Sequence, residues 1–206
     1  MKYTLTRIVN AYSKFILNIS YIIVREFVDT VFFIPCTTLI ALSAILALLL
    51  SLGNVIFASL IFILIMIVND TIVNIMSIVG SISLFTRMSL NTVFIASQSI
   101  CLIGISLYLL NKYVVIQGSV IILPLILLSL MVVNDSVKSS VASRAPDVGK
   151  HPIVMLVSRN TFFLILTIAS ILEVLNIPFA MPCLLLIYII LTFTSTLYML
   201  IKCRYI

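Results

Sequence analysis

Long apolar stretches are the feature that most constrains how this chain folds. A helix needs about 20 mostly apolar residues to cross the hydrocarbon core of a bilayer. Six stretches approach or exceed that length: Val31–Leu52, Val55–Asn69, Thr92–Leu110, Val114–Val133, Ile153–Leu175 and Pro178–Ile201. The second is short as drawn, and we expect it to continue past Asp70 toward Val79. The sequence therefore predicts an all-α polytopic integral membrane protein with six transmembrane helices.

Composition supports this class and excludes others. Of 206 residues, 63% are apolar and only 9% are charged, whereas soluble domains carry roughly 45–50% apolar and about 25% charged residues. A soluble fold of this length could not keep so much apolar surface away from water. Ordinary soluble enzymes, disordered chains, secreted disulfide scaffolds and nucleic-acid-binding domains are therefore excluded.

Short connections predict how the spans are paired. Residues 51–54 join the first two spans, and residues 176–178 join the last two. Links this short require antiparallel neighbours. We therefore expect three tandem helical hairpins.

The distribution of basic residues predicts the orientation. With six spans, both termini and the second and fourth connections share one side. That side holds eleven basic residues: Lys2, Arg7, Lys14, Arg25, Arg87, Lys138, Arg144, Lys150, Arg159, Lys202 and Arg204. The opposite side holds only Lys112. This asymmetry places both termini in the cytoplasm and predicts contact with anionic lipid headgroups there rather than with nucleic acid.

The first 28 residues form a separate unit. Polar side chains at Arg7, Asn10, Lys14 and Asn18 recur with helical spacing, opposite an apolar set. The sequence predicts that residues 1–28 form an amphipathic helix on the cytoplasmic face, acting as an anchor, a lateral gate or a docking helix. Residues 29–206 form a single membrane domain.

An internal repeat divides that domain. Residues 53–70 (GNVIFASLIFILIMIVND) and 118–135 (GSVIILPLILLSLMVVND) are identical at 9 of 18 positions without gaps. The pair Asn-Asp that closes both segments occurs nowhere else in the chain. The expected repeats cover about 29–80, 87–145 and 153–206, and the third lacks the closing Asn-Asp.

The repeated carboxylates Asp70 and Asp135 are the first candidate ion or polar site. Three interpretations remain open. They cap a following helix, they form ion pairs with Arg25, Arg87 or Arg159, which precede the odd-numbered spans, or they bind a cation or proton near a vestibule.

Two further polar residues lie inside expected spans. Glu173 is the one carboxylate within a span, a costly position, and it is either a carboxyl that reaches the outer surface or a proton or cation site. Gln98 lies mid-span beside Ser97, Ser99 and Cys101. Such groups hydrogen-bond between helices or line a polar path.

The sequence predicts no metal site, catalytic group or cofactor. His151 is the single histidine and cannot supply paired haem ligands, and the four cysteines contain no Cys-x-x-Cys motif. The predicted function is a non-enzymatic channel or transporter-like module, or a membrane-embedded subunit whose partners are other membrane subunits or copies of itself.

One enzyme family offers an alternative. CDP-alcohol phosphotransferases resemble this chain in length, in six spans and in an N-terminal surface helix. Their signature is D-x2-D-G-x2-A-R-x8-G-x3-D-x3-D. Aligned from Asp70, its later positions fall on Val73, Asn74, Ser77, Ile78, Arg87, Asn91 and Ile95. Only the first aspartate matches, so the resemblance implies an inactive or divergent relative lacking the metal-binding cluster.

The orientation is testable with single cysteines in a cysteine-free background. A cysteine at position 112 should react with a membrane-impermeant thiol reagent from the non-cytoplasmic side, and one at position 144 from the cytoplasmic side. Labelling of both from the same side contradicts the six-span arrangement.

Overall fold

All regular structure in the described part of the chain is helical. The computed structural model describes residues 2–27, 30–80, 83–113, 117–144, 146–149 and 151–204. Residues 114–116, where the fourth expected span begins, and Lys150 lie outside them. The helices are α1 (Lys2–Glu26), α2 (Phe33–Ser51), α3 (Val55–Val79), α4 (Leu84–Lys112), α5 (Gln117–Arg144), α6 (Pro146–Gly149), α7 (Pro152–Leu156), α8 (Arg159–Val174) and α9 (Ala180–Arg204).

Five of these helices contain a segment that is long and apolar enough to cross a membrane, which indicates an integral membrane protein. The segments are Phe33–Ser51, Val55–Val79, Thr86–Lys112, Ile122–Val141 and Ala180–Lys202. Helix α8 has 16 residues and so measures about 24 Å at 1.5 Å per residue. It is shorter than the five, although it packs among them.

The six longer helices after α1 form a closed ring in which each helix packs against two others. Each sequence-adjacent pair packs together (α2 with α3, α4 with α5, α8 with α9), and α2 also packs on α4, α3 on α8 and α5 on α9. The interfaces between pairs are at least as extensive as those within them. The bundle is therefore held together by contacts that cross from one pair to the next.

Contacts at each end establish that the helices alternate in direction. At one end, the Asn111 amide donates to the carbonyl of Ser51 (3.0 Å), and Lys112 pairs with Glu173. At the other, the rings of His151 and Tyr198 stack 4.2 Å apart. We call the first the hairpin end, because it holds the α2–α3 and α8–α9 turns. The second, which holds α1 and the end of α9, is the termini end.

Helix α1 crosses α3 steeply. The Tyr12 hydroxyl donates to the Asp70 carboxylate (2.6 Å), and the Ser20 hydroxyl approaches the carbonyl of Thr71 (3.5 Å). These contacts lie eight residues apart on α1, about 12 Å, but only one residue apart on α3. Ile16, between them, is fully buried.

The helix ends exclude one of the three interpretations of the Asn-Asp pairs and contradict one predicted span. The Asn-Asp pairs do not cap a following helix, because α3 continues unbroken to Val79 and α5 to Arg144. No glycine or proline follows Asp70 until Gly80, whose φ of 73° ends α3. The fifth expected span, Ile153–Leu175, is broken at residues 157–158, because Ser158 caps a new helix instead of continuing α7.

The α2–α4 interface depends on small residues. A Cβ placed on Gly104 would lie 2.5 Å from the Cα of Ala47 and 2.9 Å from its Cβ. Ser43 and Ser97 share a buried hydrogen bond of 2.6 Å across the same interface. Ala44, about one turn before Ala47 on α2, is exposed. The close approach therefore involves two small residues on each helix, Ser43 and Ala47 on α2 and Ser97 and Gly104 on α4.

Replacing Gly104 by alanine should destabilise the protein, because the added methyl group meets the backbone of Ala47. We expect a loss of about 1–3 kcal/mol, typical of overpacking, and a lower thermal midpoint in detergent. The added Ala47→Gly change should not restore stability, since the clash is with the Cα. Ala44→Val is the matched control on an exposed position, and equal midpoints for G104A and the wild type would contradict the expectation.

Candidate polar site at the termini end

A four-residue segment, 157–160, links the helices at the termini end. It follows the break after α7 and leads into α8, where the Ser158 hydroxyl accepts a hydrogen bond from the amide of Thr161 (3.2 Å). A serine in this position satisfies an otherwise free N–H of the first helical turn. The segment contacts side chains of four other helices: Lys138 and Asp135 of α5, Tyr188 of α9, Asn91 of α4, and Asp70 of α3.

Backbone carbonyls of this segment accept hydrogen bonds from two helices. The Lys138 ammonium group donates to the carbonyl of Val157, and the buried Tyr188 hydroxyl donates to the carbonyl of Ser158 (3.0 Å). The Ser158 carbonyl also accepts the first backbone hydrogen bond of α8, from the amide of Phe162 (3.0 Å), whereas the Val157 carbonyl has no described backbone donor. Lys138 therefore removes the cost of leaving the Val157 carbonyl unpaired, and Tyr188 adds a second hydrogen bond to the carbonyl of Ser158.

The first Asn-Asp pair forms a hydrogen-bond chain with α8 and α1. Asn69 donates to Asn160, and Asn160 donates to Asp70. The other Asp70 oxygen accepts from Tyr12. Burial and the neighbouring Asp70 carboxylate raise the pKa of Tyr12 well above its usual value, so this hydroxyl remains a donor at physiological pH.

The second Asn-Asp pair repeats this arrangement with different partners. Asn134 is buried and donates to Thr196 (2.8 Å) and Ser195 (3.3 Å) of α9. Asp135 forms an ion pair with Arg159 (3.6 Å). In both pairs the asparagine reaches an adjacent helix, and the aspartate contacts residue 159 or 160 at the start of α8.

The three expected arginine partners have different positions. Arg159 is the one that pairs with a repeated aspartate, and its guanidinium group also lies 4.1 Å from the centre of the Phe94 ring and donates to Asn91. Arg25 lies beside Glu26 of its own helix (3.4 Å). Arg87 is exposed and contacts neither aspartate through a described ion pair. Asp70 therefore has a hydroxyl and an amide where a cation was expected.

Three buried polar atoms among the described side chains have no hydrogen-bond partner: Asn69 Oδ1, Gln98 Nε2 and Asn134 Oδ1. Gln98 and Asn134 both line a small inner cavity of about 10 Å³, close to the least volume that holds one water molecule. One atom is a donor and the other an acceptor. The inner cavity is thus polar, and Gln98 and Asn134 in its wall each carry a buried polar atom that has no hydrogen-bond partner.

A larger cleft of about 820 Å³ adjoins the inner cavity, and Asp135 and Arg159 line both. We call it the termini-end cleft. It lies between α4 and α5, and its polar lining consists of Arg87, Asn91, Asp135, Ser136, Lys138, Ser139 and Arg159. Three cations and one carboxylate give this lining a net positive charge.

At the hairpin end, Glu173 is buried in a cluster of donors. Its carboxylate pairs with Lys112 and accepts hydrogen bonds from Tyr108 (3.0 Å), Tyr113 (3.1 Å) and the amide of Met181 (3.1 Å). Burial and the Glu173 charge raise the pKa of Tyr113 to about 12. These contacts join α4 to α8 and to the start of α9.

A second cleft, of about 680 Å³, opens beside this cluster. We call it the hairpin-end cleft. Asn111, Lys112 and Glu173 lie in its lining, together with the α2–α3 turn. The two clefts therefore occupy opposite ends of the bundle.

Sequence reasoning missed several residues that complete these clusters. Asn160 and Tyr12 hold Asp70, and Lys112 holds Glu173. Lys112 carried a usable signal, because it is the one cation expected on its side of the membrane and Glu173 is the one carboxylate near that side. Asn160 and Tyr12 carried none, since their contacts span 90 and 58 residues of sequence.

Comparison of the chain with models of known protein families, with curated proteins and with solved structures gives no match. Within the described residues, no group of three or more histidine, cysteine, aspartate or glutamate side chains lies together.

Lys112→Met should destabilise the protein by leaving the Glu173 carboxylate buried without its cation. Breaking a fully buried pair costs about 3–5 kcal/mol, and the partial exposure of Lys112 (39% of its side chain) reduces the expected loss to about 1–3 kcal/mol.

Adding Glu173→Gln should recover part of that loss, because it removes the unpaired buried charge, and the amide oxygen still accepts from one tyrosine while the amide NH2 group donates to the hydroxyl oxygen of the other. Thermal midpoints in detergent measure both effects, with Lys202→Met as the control at an exposed lysine. A double variant no more stable than K112M contradicts the role assigned to the buried charge.

Proposed function

We propose that this protein is a non-enzymatic, six-span membrane module that moves a small polar solute across the bilayer. In this proposal α2, α3, α4, α5, α8 and α9 cross the membrane as three tandem hairpins, with both termini in the cytoplasm. Helix α1 lies along the cytoplasmic face. The termini-end cleft then opens to the cytoplasm and the hairpin-end cleft to the other side.

The pair of clefts is the observation that supports transport best. Both touch α4: Asn91 lines one cleft and Asn111 the other. Cys101 stands ten residues from each, about 15 Å along the helix, and it is fully buried. Two water-accessible clefts separated by one packed layer are the arrangement expected of a carrier between its two open states.

Side chains in the intervening layer permit local rearrangement. Thr167 and Ser170 of α8 are buried and donate to carbonyls of their own helix (both 2.8 Å), so these hydroxyls bind no neighbouring helix. The Ser43–Ser97 hydrogen bond, by contrast, fixes α2 on α4. Movement of α8 and α9 relative to α4 would therefore break few interhelical hydrogen bonds in the middle of the bundle.

A membrane-embedded subunit is the second candidate function. The packed layer between the clefts supports it equally if that layer never opens. A divergent CDP-alcohol phosphotransferase is the enzyme alternative, and the surroundings of Asp70 offer it little support. The Asp70 side chain contacts a tyrosine and an asparagine, Tyr12 and Asn160, rather than further carboxylates.

A cysteine in place of the buried Thr167 of α8 distinguishes a carrier from a static subunit. In a variant with the four native cysteines replaced by alanine, reconstituted into liposomes, a carrier in which α8 moves exposes this cysteine transiently to each side. We expect slow labelling by a small membrane-impermeant thiol reagent from the outside and, with reagent trapped within the liposomes, from the inside.

The matched controls place single cysteines at positions 91 and 111 in the same cysteine-free background. Each of these should react quickly and from one side only. Protection of the cysteine at position 167 from both sides, with normal labelling of the two controls, contradicts transport and favours the subunit.

A further inference from the structure

The termini-end cleft concentrates positive charge in a defined space. Arg87 and Arg159 approach it from α4 and α8, and Lys138 from α5. Asp135 is the one carboxylate in its lining. A cleft of about 820 Å³ is within the range of small-molecule sites, so the charge faces a space that a ligand can fill.

These cations retain donors for a ligand. No hydrogen bond or ion pair of the Arg87 side chain is described, and the Lys138 ammonium uses one donor on the carbonyl of Val157. An ammonium group has three donors and a guanidinium group five. Arginine in particular matches the oxygens of a phosphate group with two parallel hydrogen bonds.

A buried, unpaired donor lies behind the cleft. Gln98 is 3% exposed, and its Nε2 has no partner. It lines the inner cavity, which shares Asp135 and Arg159 with the cleft. The polar side of the cleft therefore offers donors at its wall and at its inner limit.

The remaining lining is apolar and reaches the outer surface of the bundle. Met88 (63%) and Val132 (41%) are exposed, and Ile95 beside them is half-buried. A ligand that fills the cleft thus meets cations on one side and apolar side chains on the other. A free phosphate ion would use only the first.

We propose that this cleft binds an anionic phospholipid, with the headgroup phosphate held by Arg87, Lys138 and Arg159 and an acyl chain lying along Met88, Ile95 and Val132. General attraction of basic residues to an anionic membrane acts on any cation at this end of the bundle. The cleft differs because three cations line one space of about 820 Å³. Binding at equilibrium does not depend on whether the protein transports a solute, so this proposal and transport fail separately.

Native mass spectrometry of the full chain, released from micelles that contain phosphatidylglycerol and phosphatidylcholine, tests the proposal. We expect preferential retention of phosphatidylglycerol. Arg87→Gln and Lys138→Gln should each lower that retention about tenfold, the effect of one charge-assisted hydrogen bond. Arg7→Gln and Lys202→Gln remove the same charge from exposed positions outside the cleft and should change retention less than about twofold.

Arg87 is exposed, so R87Q keeps the test valid if K138Q fails to fold. Met88→Gln should also reduce retention of phosphatidylglycerol, because it places a polar group where the acyl chain lies. Equal losses in cleft and control variants, or no preference over phosphatidylcholine, overturn the proposal. Displacement of the lipid by inorganic phosphate, with M88Q equal to the wild type, assigns the cleft to a free phosphate ion and also overturns it.

Discussion

The bundle depends on satisfying polar groups without water, and residues 157–160 do this for four helices at once. A hydrocarbon solvent offers no hydrogen bonds to a free carbonyl or amide. At the break between α7 and α8, Lys138 of α5 and Tyr188 of α9 donate to backbone carbonyls, and Asp70 of α3 and Asn91 of α4 accept from the side chains of Asn160 and Arg159. The start of α8 is therefore the point at which polar contacts join the helices.

The two Asn-Asp pairs explain why one segment can contact both α3 and α5. Asn69-Asp70 and Asn134-Asp135 occupy corresponding places on α3 and α5, and consecutive residues of α8 contact the two aspartates. Asn160 meets Asp70 with an amide, whereas Arg159 meets Asp135 with a charge. Asp135 and Arg159 line the inner cavity and the termini-end cleft, whereas Asp70 is tied to α1 through Tyr12.

Apolar length predicted most of the helices, because the cost of exposing apolar side chains acts along a continuous stretch of sequence. It located α2 and α9 to within three residues at all four ends, and it correctly extended α3 past Asp70. It failed for the fifth stretch, since hydropathy does not register that Ser158 caps a helix. Apolar length could not predict which helices pack together. The α2–α4 interface depends on the close approach of Gly104 to Ala47, which is a fit between two surfaces and leaves no pattern along either helix.

The short length of α8 has a consequence for the membrane itself. Its outward face carries the exposed residues Leu164, Ile168 and Ile171, so lipid tails contact it if it spans the bilayer as proposed. At about 24 Å against a hydrocarbon thickness of about 30 Å, it leaves a hydrophobic mismatch on one side of the protein only. Lipids beside α8 must then shorten or tilt, at a cost of a fraction of a kcal/mol for each ångström. The protein would thus impose a local thinning of the bilayer on the side of α8 only, while the longer helices of the bundle keep the ordinary thickness on the other sides.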